Sequence, residues 1–158
     1  MKKALFFISV LLMGVGCDKN EDNSTPSSKT KSELLTQATW KFQAAGIDMD
    51  KNGVWETTLA NVIPDCAKDN TVTFTANGTG TSGEGTNVCP NASSSPSPFT
   101  WSFVSGETVL SITGNAILGY GGQYKIVSLT DTKLSLSKDT TISGLGSQPL
   151  TVIADFVH

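Results

Sequence analysis

The residues best equipped for chemistry are the cysteines, and they divide into one and two. Cys17 follows Gly14-Val15-Gly16, at the end of an apolar run from Ala4 to Val15 that opens with Lys2 and Lys3. A basic start, a short apolar stretch and a small-residue exit make a secretory signal, and the run falls short of the ~20 apolar residues that cross a bilayer. A cysteine at that exit is an acyl acceptor. Residues 1–16 are therefore expected to be removed, leaving Cys17 as the lipidated, palmitate-bearing first residue of the mature chain. Cys66 and Cys89 remain as an even pair in an exported, oxidising compartment, where a disulfide is expected. The rival, a metal site, lacks support because neither cysteine has a His or a second Cys at ligand spacing.

The carboxylates offer less. Asp48-Met49-Asp50-Lys51-Asn52-Gly53 opens like a calcium-binding loop, with alternating oxygen side chains ahead of a glycine that permits a sharp turn. The match then fails, since Leu59 occupies the position of the bidentate glutamate and Glu56 comes too early. Asn52-Gly53 also reads as a hairpin tip between strands at Trp40 and Trp55, which needs no ion. Asp48, Asp50, Asn52 and Glu56 are the metal candidates if there is one, and no cofactor is expected. His158, the sole histidine, is the last residue, so nucleophile–base pairs lack a positioned base. Glu84, Glu107 and Asp155 show no spacing that would set one carboxyl acidic and another basic. The glycines near Asn77 to Gly85 and Gly119 to Gly122 precede neither a Gly-Lys-Ser/Thr nor a helix, so no phosphate loop is present. An enzyme is not expected. The net charge is −3 and all 11 basic residues are lysine, which leaves no guanidinium fork for phosphate, so no nucleic-acid partner is expected either.

The elements that position these residues follow from periodicity. Residues 17–31 are acidic, Ser/Thr-rich and without apolar period, a tether rather than a core segment. Thr30 and Glu33 have capping-box spacing, which predicts a short helix over Ser32 to Ala38. Beyond it the period becomes two: Trp40, Phe42 and Ala44 against Lys41 and Gln43; Val72, Phe74 and Ala76 against threonines; Phe99, Trp101 and Phe103 against Thr100 and Ser102. Leu110 with Ile112, Tyr124 with Ile126, and Leu134 with Leu136 continue the pattern, and Leu150 to Val157 is more continuously apolar. Asn52-Gly53, Asn77-Gly78, Ser105-Gly106 and Thr130-Asp131 supply turns. About eight or nine antiparallel strands result, with no long helix to cover them, so residues 32–158 should form one all-β domain that closes on itself as a barrel or sandwich.

These residues resemble a family. The short helix, Trp40 opening the first strand, the Phe74 strand ending in Asn77-Gly78, the Trp101 strand, and Tyr124-Lys125-Ile126-Val127-Ser128-Leu129 followed by Lys133-Leu134-Ser135-Leu136 look like the lipocalin-like domains of secreted Bacteroidetes lipoproteins. The likeness covers roughly Leu34 to His158, although the position two before Trp40, glycine in true lipocalins, is Ala38. It implies an antiparallel up-and-down barrel of about eight strands with one short N-terminal helix, an interior either filled or holding one small apolar ligand, and an outer-membrane address on the periplasmic or cell-surface face. Asp18-Lys19-Asn20-Glu21-Asp22 is similar to the acidic export stretch of surface lipoproteins in that group. Asp139-Thr140-Thr141 fits its short O-glycosylation pattern, with Thr140 as acceptor.

Two readings stay open. In the first, the barrel binds a small hydrophobic molecule against the inward aromatics Trp40, Phe42, Phe74, Trp101, Phe103 and Tyr124. In the second, those aromatics are packed core, and the filled barrel displays loops to a protein or glycan partner. A cavity of ~300 Å³ or more favours the first.

Overall fold

A computed structural model describes residues 29–90, 92, 94–142 and 148–158. The expected signal segment, Cys17 and the acidic stretch lie outside the described residues. Thr30 caps helix α1 (Lys31–Thr36): its Oγ1 accepts from the Glu33 amide at 3.2 Å, and its own amide donates to Glu33 Oε2 at 2.7 Å, the reciprocal box that the spacing predicts. The strands are β1 (Trp40–Asp48), β2 (Thr57–Thr58), β3 (Thr71–Phe74), β4 (Thr79–Gly83), β5 (Ser97–Val104), β6 (Val109–Ile117), β7 (Tyr120–Leu129), β8 (Lys133–Thr140) and β9 (Leu150–Val157). Each of β3 to β9 pairs antiparallel with the next. β1 then joins β9 along Lys41–Asp48 and β3 at Trp40–Lys41, closing a ring of eight strands to which the short β2 is added beside Gly46. Closure pairs each ring strand on both sides where a sandwich would leave edges, although β1 meets β3 over two residues only and β2 keeps a free side.

The two ends of the ring differ. The β3–β4, β5–β6 and β7–β8 turns meet at one end, and α1 lies across it with Leu35 fully buried. Trp40 Nε1 donates to Leu35 O at 2.9 Å, Lys31 Nζ to Glu107 O at 2.6 Å, and Lys29 pairs with Asp131. The sole histidine also ends here, its ring 3.8 Å from that of Trp40. Inside this half the barrel is filled by aromatic edges: Phe42 against Phe156 at 5.8 Å, and Phe74 against Phe99 at 5.4 Å and Trp101 at 5.8 Å. The opposite end carries the β2–β3, β4–β5, β6–β7 and β8–β9 connections, with a single 3-10 turn, Asp65–Ala67, in the first of them.

Three elements depart from the sequence pattern. A bulge between Phe42 and Ala44 shifts the register of β1 on β9, so Ala45 and Ile47 turn inward opposite Ala154 and Val152, and Ala44 turns outward opposite Asp155. Trp55 opens no strand; its segment folds back over the outer wall, and its ring fills the space where a Cβ at Gly46 would stand, 2.4 Å from Cδ2. That cover explains the unbroken apolar run of β9, because Ile153 and Asp155 are buried on the outer face while Ala154 and Phe156 are buried inside. Last, β4 contains no large apolar residue and gave no period to read; it is held by its pairing to β3 and β5.

Candidate functional site

Along β8 the inward positions are Leu134, Leu136, Lys138 and Thr140, paired across to Phe156, Ala154, Val152 and Leu150 of β9. The first two pairs belong to the core. Beyond them the side chains no longer meet across the barrel, and a cavity of about 620 Å³ lies at the end away from α1. Its floor is Tyr124, Leu136 and Ala154, and its walls are Leu59, Ile63 and Pro64 from the β2–β3 connection, Ile117 at the end of β6 with Leu118 beyond it, Val152 from β9 and Ile142 from the β8–β9 connection. Its polar side chains are few: Asn70, Glu84, Lys138, Thr140 and Thr141, besides the tyrosine hydroxyls. A mostly apolar concavity with a small number of placed polar groups is the usual form of a small-molecule site, and the volume falls inside the ~300–1,000 Å³ range of such sites.

The floor is buried and hydrogen-bonded, and the rim is stitched. Tyr124 is 4% exposed, its hydroxyl donates to Tyr120 O at 3.0 Å, and burial together with the nearby Tyr120 pushes its phenol up to about 12. It is therefore a neutral donor across the physiological range. The Cys66–Cys89 disulfide, with Cα atoms 5.0 Å apart, ties the β2–β3 connection to the β4–β5 connection, and Cys89 itself lines the cavity. Polar bonds follow the same seam. Asp69 Oδ2 accepts from the amides of Thr86 at 2.7 Å and Asn87 at 3.1 Å and from Thr86 Oγ1 at 3.0 Å. These donors, the Asn87 amide foremost, hold the Asp69 carboxyl below its ordinary range. Glu84 accepts from Asn70 Nδ2 at 3.3 Å and from the Cys89 amide at 3.0 Å. One continuous wall results from two long loops.

Of the aromatics singled out from the sequence, Tyr124 alone lines this cavity. Trp40, Phe42 and Phe74 are buried in the filled half, while Trp101 and Phe103 lie half-buried there, 5.4 Å apart, with Trp101 Nε1 donating to Thr75 O and Thr79 O. The inward face was readable, but depth along the barrel was not. The residues that shape the cavity, Leu59, Ile63, Leu118 and Ile142, sit in or beside connections, where period-two reading has no purchase. Thr140 stands at the cavity's edge, opposite Leu150.

The calcium-like segment forms the β1–β2 connection on the outer wall. Ligand atoms of Asp48, Asp50 and Glu56 lie within 4.8 Å of one another. The same carboxylates serve as turn acceptors: Asp48 takes the amides of Asn52 at 3.1 Å and Gly53 at 2.9 Å, Asp50 takes Asn52 Nδ2 at 3.0 Å, and Glu56 takes the Met49 amide at 2.8 Å. Asn52 Oδ1 accepts from the Val54 amide at 2.7 Å, so its oxygen too is engaged within the loop. A second cavity, of about 550 Å³, separates this loop from the outer faces of β6 to β9, with Lys51 reaching Asp139 at 3.4 Å across it.

No curated protein matches the chain. The lipocalin-like domain matches residues 36–136, from the end of α1 through the middle of β8, which is well over half of the sequence and contains most of the barrel. The chain belongs to the lipocalin-like domain family.

Proposed function

We propose that this domain is a binding module that holds a small apolar molecule in its mouth cavity, on a chain anchored to the outer membrane through a lipid on Cys17. The observation that carries the binding reading is the hollow half of the barrel: about 620 Å³ walled mostly by aliphatic side chains and floored by a buried tyrosine. Anchoring rests on the sequence of residues 1–17 and on their address-like pattern. The lining is mostly aliphatic, and this supports a binding reading.

A neutral fluorescent probe, N-phenyl-1-naphthylamine, tests it. Its emission should rise on addition of the protein and saturate, and Val152→Trp, which fills the cavity from a half-buried position, should weaken probe binding by roughly tenfold or more while the melting temperature holds. A parent protein silent toward this probe and toward a panel of apolar molecules would overturn the reading. It would favour instead the display of loops to a protein or glycan partner, to which the exposed rim residues Val62 and Tyr120, 52% and 69% exposed, lend themselves.

A further inference from the structure

Lys138 is the anomaly of the cavity. Strand alternation turns it inward after Leu134 and Leu136, and it is half-buried on an otherwise aliphatic wall opposite Val152. Its ammonium donates to Gly121 O at 2.6 Å and sits 5.0 Å from the centre of the Tyr124 ring. Both partners are neutral. Among the described residues no carboxylate comes within salt-bridge distance of it, whereas Lys29, Lys51, Lys68 and Lys133 each have one. The room for it is built: Gly122 faces the same way on β7, and a Cβ there would come within 2.9 Å of Lys138 Nζ. A half-buried ammonium whose partners are all neutral favours an entering negative charge.

The cavity's carboxylate is differently disposed. Glu84 has both oxygens engaged, Oε1 by Asn70 and Oε2 by the Cys89 amide, as part of the seam between loops. Lys138 has two further donor directions and a neutral carbonyl that a charged acceptor outcompetes.

We infer that the ligand is an anionic amphiphile, an apolar body bearing a single carboxylate, whose head is held by Lys138 beside Tyr124 while its tail lies against Leu59, Ile63 and Val152. This rests on the binding reading above and adds the sign and place of the ligand's charge.

Three probes of one chain length separate the two: decanoate, decanol and decyltrimethylammonium, each below its micellar concentration, titrated calorimetrically into the full chain. Decanoate should bind roughly tenfold or more tightly than decanol, as a charge-assisted contact in a shielded site implies, and the ammonium probe least. Lys138→Met should abolish the preference for decanoate over decanol, and a preference that persists in the variant would overturn the inference. If Lys138→Met fails to fold, the parent's ranking of the three heads decides alone. Equal affinity for decanoate and decanol would overturn the carboxylate inference and leave apolar binding standing. Preference for the ammonium probe would assign the head group to Glu84 and overturn it as well, and no binding of any probe would overturn both readings.

Discussion

Tyr124 shows how far a single residue could be read in advance. Its alternation with Ile126 marked it as inward-facing, and it is, but the same logic applied equally to Trp40, Phe42 and Phe74, which the structure places under the helix-covered end. Period two reports which face of the wall a side chain takes and nothing about height along the barrel axis, which is set by register and bulges. Lys138 makes the complementary point: polar residues at even steps from Leu134 and Leu136 read as solvated until closure puts them inside. The burial of Tyr124 has a measurable consequence. Its folded-state value of about 12 exceeds the ordinary 10.0 of a tyrosine, so the stability tied to its neutral phenol is complete below pH 10 and is lost as the pH rises toward 12. The loss should amount to roughly 2–3 kcal/mol, from about 1.4 kcal/mol per pH unit. Chemical denaturation between pH 9 and pH 12 should show the decline, and Tyr124→Phe should remove this part of the slope; an identical slope in the variant would contradict the assignment.

At the scale of elements, turn chemistry and covalent pairing were the legible parts. Asn77-Gly78, Ser105-Gly106 and Thr130-Asp131 each lie at a hairpin of the covered end, with Gly78 at φ 81° where a left-handed turn requires it. Asn52-Gly53 marks a turn too, but the segment after it packs Trp55 on Gly46 and extends only as the two-residue β2, because a side chain that large finds more contact on the outer wall than along a free edge. The Cys66–Cys89 pairing was legible by elimination, and its role as a rim clamp was not, because nothing local shows that two long connections meet at the cavity. Replacing both cysteines with serine should cost roughly 3 kcal/mol, the chain-entropy value for a loop of this length. Denaturant unfolding of parent and variant measures it, and an unchanged midpoint would show that the Asp69 and Glu84 bonds hold the seam without the covalent link. For the β1–β2 connection, millimolar calcium should leave the melting temperature nearly unchanged, since the loop lacks the bidentate glutamate and its carboxylates already accept backbone amides. A rise of several degrees that Asp50→Ala abolishes would reverse that conclusion and make the acidic cluster an ion site.

For the molecule as a whole, fold class followed from period-two strands and the absence of a long helical pattern, which force a sheet to cover itself. The division into a filled and a hollow half did not follow, because it depends on where one short helix docks. That docking fixes the direction of the domain. The described chain enters at Lys29 beside the β7–β8 turn, and Lys31 reaches the β5–β6 turn, both at the covered end, and the cavity lies at the far end of the barrel; on the proposed anchoring through Cys17, the mouth therefore points away from the point of attachment. Anchoring and binding should therefore be separable. If the proposed lipid is on Cys17, Cys17→Ser should move the protein from the membrane fraction to the soluble fraction, and the released protein should bind the neutral probe with the parent's affinity. Fractionation followed by probe titration checks both halves. Retention of the serine variant in the membrane fraction would remove the lipid from the account, and a released protein that had lost probe binding would mean that the cavity depends on the membrane rather than facing away from its point of attachment.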